Sequence, residues 1–326
     1  MKVQFWAADE AGSCWYRMLL PAQGMGWLGH DVRCDTALTG DWQSSADCIV
    51  GSRVARPGPS QLWRTLKTQG TRLVLDLDDD YWHIDPLNEA AHQEWTPRLL
   101  DALATNMGLA DVVTVVTEPL AQSMRQHTDT PIRVIPNALP AQLMGNVRDY
   151  GKRPLRIGWA GTASTVHDLP QAAHALRKIA ARPDVQVRLV GVDQNQAIRA
   201  GAKHPNIGTF GWVKQADYLS VVNTFDIWVA PYRNTPFNRA KFPTKALEAG
   251  MLGIPLIASA IEPYADWIEH GKTGLLVERE HEWTRLLRQL VEDDDLREQI
   301  GMASRSRGAQ NILQQVNQQW ETVCRP

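Results

Sequence analysis

The sequence lacks any run close to the roughly 20 consecutive apolar residues that a membrane-spanning helix needs. It also lacks the basic amphipathic helix of a surface-bound protein. Its first residues offer one lysine, a short strand-like run, then Asp9 and Glu10, which is not the layout of a secretory signal. Cysteine is scarce: of the four, Cys14, Cys34 and Cys48 fall in the first fifty residues and Cys324 near the end, with no metal-ligand spacing. Free thiols in a reducing compartment follow from that pattern, so a soluble, cytoplasmic protein is expected. Excess charge is missing too. A formal net charge of -2 supplies no global attraction to nucleic acid. No G-x-G-x-x-G follows a strand-like run, which argues against an NAD-dependent enzyme.

What is present fits an ordinary globular protein, with 44% hydrophobic and 21% charged residues. The 326 residues exceed what one core usually supports, so two domains are expected. Thirteen tryptophans are assigned to the core and domain contacts, with a few left to line a cleft. Apolar strand-like runs such as DVVTVVT (111–117) and LRIGWA (155–160) alternate with helical patterns, among them Tyr16–Trp27 and one long helix over Asn88–Leu109. Strands apolar along their length, alternating with helices, predict parallel sheets covered on both faces. The fold class is therefore α/β, with two tandem Rossmann-like domains facing each other across a cleft. The boundaries are residues 1–138, a linker at 139–153 containing Pro140, Gly145 and Gly151, a second domain at 154–308, and a C-terminal helix at 309–326 packing back on the first domain.

The stretch Phe237–Ser259 (FNRAKFPTKALEAGMLGIPLIAS) carries the sharpest functional signal. Between Ile227 and Leu247 stand four cations, Arg233, Arg239, Lys241 and Lys245, and no acid. They lie just before and inside a helix opened by Pro243, where free N–H groups and the helix dipole already favour an anion such as a diphosphate. Glu248 follows one turn on. A second signal is LVLDLDDDYW, which sets Asp76, Asp78, Asp79 and Asp80 at the end of a buried strand, so that a cation, a basic substrate or arginines must offset their repulsion.

Taken in order, several segments resemble the retaining GT-B glycosyltransferases, the large family with a paired-glutamate (E-x7-E) motif. These are LRIGWAGTASTVHDL (155–169), VRLVGV (187–192), NIGTFGWV (206–213), DIWVAPY (226–232), KFPTKALEAGMLGIPLIAS (241–259) and HGKTGLLV (270–277). The first half matches more loosely through YRMLLPAQGMGWLGH (16–30), ADVVTVVT (110–117) and VIPNAL (134–139). The resemblance implies a sugar transferred from a nucleotide-diphosphate donor to an acceptor hydroxyl with retention, and no required metal or other cofactor. The acceptor is left open among a glycan, a protein and a modified DNA base, and a compact enzyme of this kind would suit a phage-like element.

Within that family Lys241 and Lys245, with Arg239 behind them, would neutralise the departing diphosphate. Glu248 would accept the ribose hydroxyls. The family's first glutamate falls at Ala240 and is absent, which leaves Asn238 as a substitute near the sugar. Gly161, Thr162 and Gly12 would let backbone approach the donor. Arg17 could reach acceptor or phosphate, or lie at the surface, while Tyr16 and His167 are placed on the acceptor side, His167 alternatively in a capping network with Asp168. For the aspartates, Asp78, Asp79 and Asp80 are read as an acceptor-side group, with Asp78 orienting the hydroxyl, or alternatively the cluster is a structural cap or ion pair. Two alternatives stand beside this: a haloacid-dehalogenase-type phosphohydrolase built on Asp76 and Asp78, and a non-catalytic nucleotide-sugar-binding protein.

Overall fold

The structure, a computed structural model, describes residues 1–10, 12–144, 148–162 and 164–325. Residues 145–147 of the expected linker and Pro326 of the expected C-terminal segment lie outside the described residues. Strands β1 (Lys2–Trp6), β2 (Asp31–Asp35), β3 (Cys48–Ser52), β4 (Arg72–Leu77), β5 (Val112–Val115) and β6 (Ile132–Val134) form one parallel sheet in the order β2-β1-β3-β4-β5-β6. Strands β7 (Leu155–Ala160), β8 (Val185–Val190), β9 (Ile207–Phe210), β10 (Ile227–Ala230), β11 (Leu256–Ser259) and β12 (Leu275–Val277) form a second, in the order β12-β11-β10-β7-β8-β9. The central strands are buried along their length, as two-sided helix cover requires. In each sheet the chain runs outward on one side of its first strand and returns on the other, between β1 and β3 and between β7 and β10. Loops diverge at such points, and ligands bind beyond the strand carboxyl ends there.

The helix Leu313–Cys324 packs on the first sheet, with Trp320 edge-on to Phe5 at 5.8 Å and the Val323 carbonyl accepting from Arg72 Nε at 2.8 Å. Among the described residues no helix is long and apolar enough to cross a membrane.

Three local expectations are corrected. The long helix is two, Glu89–Glu94 and Pro97–Leu109, because Pro97 forces Thr96 into extended backbone (ψ 158°). The helix expected from Tyr16 opens as a π-type turn, Trp15–Leu19, and becomes α-helical only over Leu20–Trp27; Pro21 has no N–H to continue the regular ladder. The basic loop before Pro243 contains a short helix, Pro236–Ala240, capped by Thr235, whose hydroxyl accepts from the Asn238 amide at 3.2 Å. That helix enters the first half of the molecule. Phe237 and Ala240 join the cluster of Leu77, Tyr81 and Leu120, and Thr117 Oγ1 donates to the Ala240 carbonyl at 2.6 Å.

Candidate active site

Between the carboxyl ends of the two sheets lies a cavity of about 360 Å³. The first half contributes Gly12 and Ser13 after β1, and Asp78 and Asp79 after β4. The second half contributes Gly161 and Thr162 after β7, Gly191 after β8, Tyr232 after β10, and Lys241, Lys245 and Glu248 around the helix Thr244–Leu252. Both glycines are dictated by close approach. Gly191 has φ +87°, and a Cβ there would lie 1.8 Å from the Gly161 carbonyl oxygen; at Gly161 a Cβ would meet Trp159 and Thr165 at 2.5 Å.

Glu248 is 1% exposed and accepts hydrogen bonds from two tyrosines on opposite sides of the cleft. Tyr16 of the first half donates to Oε1, and Tyr218 of the second donates to Oε2 at 3.2 Å. Burial raises its pKa to about 7, against the opposing hydrogen bond from Tyr16, the charge of Lys245 and the Tyr218 bond. A carboxylate whose folded pKa lies above its unfolded value destabilises the fold once pH exceeds the unfolded value, and the cost is complete above the folded one. Relative to wild type, Glu248→Gln should therefore gain about 2–3 kcal/mol of stability between pH 5 and pH 8, at ~1.4 kcal/mol per pH unit through the window up to about 7. Urea titrations at the two pH values measure this, and a constant difference would show that Glu248 stays ionised throughout.

The two lysines differ. Lys241 Nζ donates to Asp79 at 2.5 Å and lies 4.0 Å from the Phe237 ring centroid, so its charge is already met by a first-half carboxylate. Lys245 donates to the Tyr232 hydroxyl, sits over the Tyr232 ring at 4.8 Å and forms no ion pair among the described residues. Burial pushes Asp79 up despite Lys241, whereas Asp78 is held below the usual carboxylate range. Its burial would raise it, but the Arg53 charge, hydrogen bonds from Ser13 and Tyr81, and the Lys241 charge prevail.

Five expected site residues lie off this cavity. Arg17 is sealed in the first half, bonded to Asp76 through Nε (3.1 Å) and Nη2 (2.6 Å), and to the Ile135 carbonyl and Asn137 through Nη1. With every contact internal it reaches neither acceptor nor phosphate. Asp80 is buried as the cap of the turn Tyr81–His83, bonded to the Trp82 amide, His83 and Ser123. Asn238 is buried against Asp168 and cannot substitute near a sugar. Arg239 turns to the surface, where it donates to Asn234. His167 sits in the turn Val166–Asp168 with Nδ1 buried and unbonded, while its neighbour Asp168 takes the polar contacts from Arg233 and Asn238. The phosphohydrolase alternative fails on the same ground as Arg17: Asp76 is 1% exposed and enclosed by Arg17 and Thr114, so it cannot attack a phosphate.

Sequence reasoning missed Tyr218, Tyr232, Tyr264 and the 68% exposed Trp212, all on the cavity wall. Tyr232 ends the run DIWVAPY beyond a buried strand, a position that could have flagged it. Nothing in the local pattern marks Tyr218.

Two parallel sheets facing each other, with a cavity at their carboxyl ends, define the GT-B class of fold. Solved structures share it over the whole chain. Sucrose-phosphate synthase from Thermosynechococcus elongatus has a TM-score of 0.73 at 14% identity, covering 99% of this chain and 98% of that one. The Anabaena protein HepE in complex with UDP-glucose has a TM-score of 0.73 at 16% identity, covering 99% of both. A glycosyltransferase from Rickettsia africae has a TM-score of 0.69 at 14% identity, covering 98% of this chain and 97% of that one. No curated protein matches by sequence. Residues 154–293, which contain the whole second sheet, match the family Glycosyl transferases group 1.

Proposed function

We propose that the enzyme moves a sugar from a nucleotide-diphosphate donor to an acceptor hydroxyl, with retention and without a required metal. The observation that carries this reading is the grouping of Lys245, Glu248, Gly161 and Gly191 in one cavity that both sheets enclose. Glu248 offers acceptors suited to a ribose diol once Tyr16 and Tyr218 turn aside. Lys245, at the start of the helix Thr244–Leu252, faces where a diphosphate would meet the helix dipole. The chemical contribution is positioning, together with stabilisation of charge on the leaving diphosphate. Asp78, held ionised at the joint of the two halves, is the group we assign to orienting the acceptor hydroxyl. Retention rests on the family resemblance. HepE in complex with UDP-glucose supports a uridine donor.

A thermal-shift panel of UDP-, GDP-, ADP- and TDP-sugars tests the donor. A ligand at a hundred times its Kd stabilises the native state by about 2.7 kcal/mol, so at least one should raise Tm clearly. No shift with any of them would overturn the donor assignment. Binding without nucleotide release under any acceptor would instead make this a binding protein.

A further inference from the structure

A second cavity, of about 540 Å³, opens in the first half of the molecule. It lies at the carboxyl ends of β1 to β4, spanning the β1/β3 reversal where an open sheet takes its ligand. It shares Ser13, Asp78 and Asp79 with the donor cavity, so the two spaces meet at the aspartates. A molecule seated there presents its end to the donor sugar. The backbone of the second cavity is strained beside that junction. Arg53 is the sole non-glycine residue at positive φ (+40°) among the described residues, and such outliers persist where the surroundings over-determine them, often at functional sites.

The lining states what kind of molecule fits. Its carboxylates are Asp9, Asp78, Asp79 and Glu94, and its cations are Arg53 and Arg56; even with Lys241, which pairs with Asp79 from the adjoining cavity, three cations face four carboxylates. Neither arginine is spare. Arg53 donates to Asp9 and to Ser13 Oγ (3.3 Å) and stands 4.0 Å from Asp78, while Arg56 pairs with Glu94 at the exposed rim. A phosphate group brought here would meet carboxylates whose counter-charges are already engaged, and like charges placed together repel. Apart from Ser13, Thr36 and Ser52, the rest of the wall is aromatic and apolar. Trp95, half-buried, stacks on Tyr81 with centroids 4.0 Å apart. Rings for the C–H faces of a pyranose and carboxylates for its hydroxyls together match a neutral sugar.

We infer that the acceptor is an uncharged saccharide, chosen over phosphate-bearing chains and nucleic acid by Asp9, Asp78, Glu94 and Trp95. This rests on the transferase reading above and narrows its acceptor.

The test measures nucleotide release from UDP-glucose, or from whichever sugar gives the largest thermal shift. Acceptors are matched pairs of a neutral oligosaccharide and its phosphorylated form, with a single-stranded DNA oligonucleotide beside them. A neutral member should stimulate release with kcat/KM at least tenfold above its phosphorylated partner, and DNA should give none. Glu94→Lys, on the exposed rim where folding is not at stake, should raise kcat/KM for the phosphorylated member at least fivefold. Trp95→Ala should raise the acceptor KM at least tenfold and move the donor KM less than twofold. Equal or better use of phosphorylated or DNA acceptors overturns the inference. So does failure of every saccharide while donor binding is intact. A chain that binds no nucleotide sugar overturns the transferase reading and this inference with it.

Discussion

Lys245→Ala should lower kcat/KM by roughly 10²–10³-fold, the usual loss when one fixed donor to developing negative charge is removed. Lys241→Ala should cost clearly less, on the order of tenfold. The two lysines look equivalent in the sequence, but the fold separates them. Lys241 is neutralised by Asp79 at 2.5 Å, so a diphosphate must first displace that carboxylate. Lys245 is held against the Tyr232 ring and hydroxyl with no carboxylate within ion-pair reach among the described residues, and it lines the cavity between the two sheets. Its charge is thus preorganised and available, which is what transition-state stabilisation requires. Steady-state nucleotide release by the two variants checks this, with Lys245→Arg expected to recover part of the rate because it keeps the charge. If Lys241→Ala proves the more damaging, the leaving diphosphate lies nearer Asp79 than this assignment places it.

The fold was largely legible in the sequence because burial on both faces of a parallel sheet writes itself as unbroken apolar runs. DVVTVVT and LRIGWA became β5 and β7 for that reason. Part of the site was legible as well: Lys241, Lys245 and Glu248 share one cavity with Gly12, Tyr16, Asp78, Asp79, Gly161 and Thr162. What misled was the acid-free window. Two of its four cations have acids as partners, but from elsewhere: Asp85 and Asp168 for Arg233, Asp79 for Lys241. A local count of charge cannot see across a cleft. The same blindness hid Tyr218, which matters only because the helix Gln215–Val222 brings it to Glu248. Arg17 was misplaced because a helix-start arginine reads the same whether it faces solvent or a buried aspartate.

Arg17→Leu should destabilise the protein by about 3–5 kcal/mol, the cost of leaving one member of a buried ion pair alone. The pair is fully enclosed, at 1% exposure for each residue, and its geometry is bidentate. The guanidinium also satisfies the Ile135 carbonyl at 2.7 Å and Asn137 at 3.2 Å, and lies 4.9 Å from the Trp320 ring. It thereby binds the turn after β1, the end of β4, the segment after β6 and the C-terminal helix into one unit. Asp76 itself is pushed up by burial and held down by Arg17. Without the arginine its folded pKa rises further above the unfolded value, so the anion is penalised and the deficit grows with pH. The variant should accordingly lose less at pH 5 than at pH 8 in urea titrations. The double variant Arg17→Met, Asp76→Leu, which removes both charges, should recover much of the loss. A single variant within 1 kcal/mol of wild type, or a deficit that shrinks as pH rises, would show that water or another cation reaches Asp76. Because Asp78 and Asp79 follow Asp76 by two and three residues, the buried pair also fixes where the two carboxylates of the cleft emerge. Activity should therefore fall in Arg17→Leu even at temperatures where the variant stays folded.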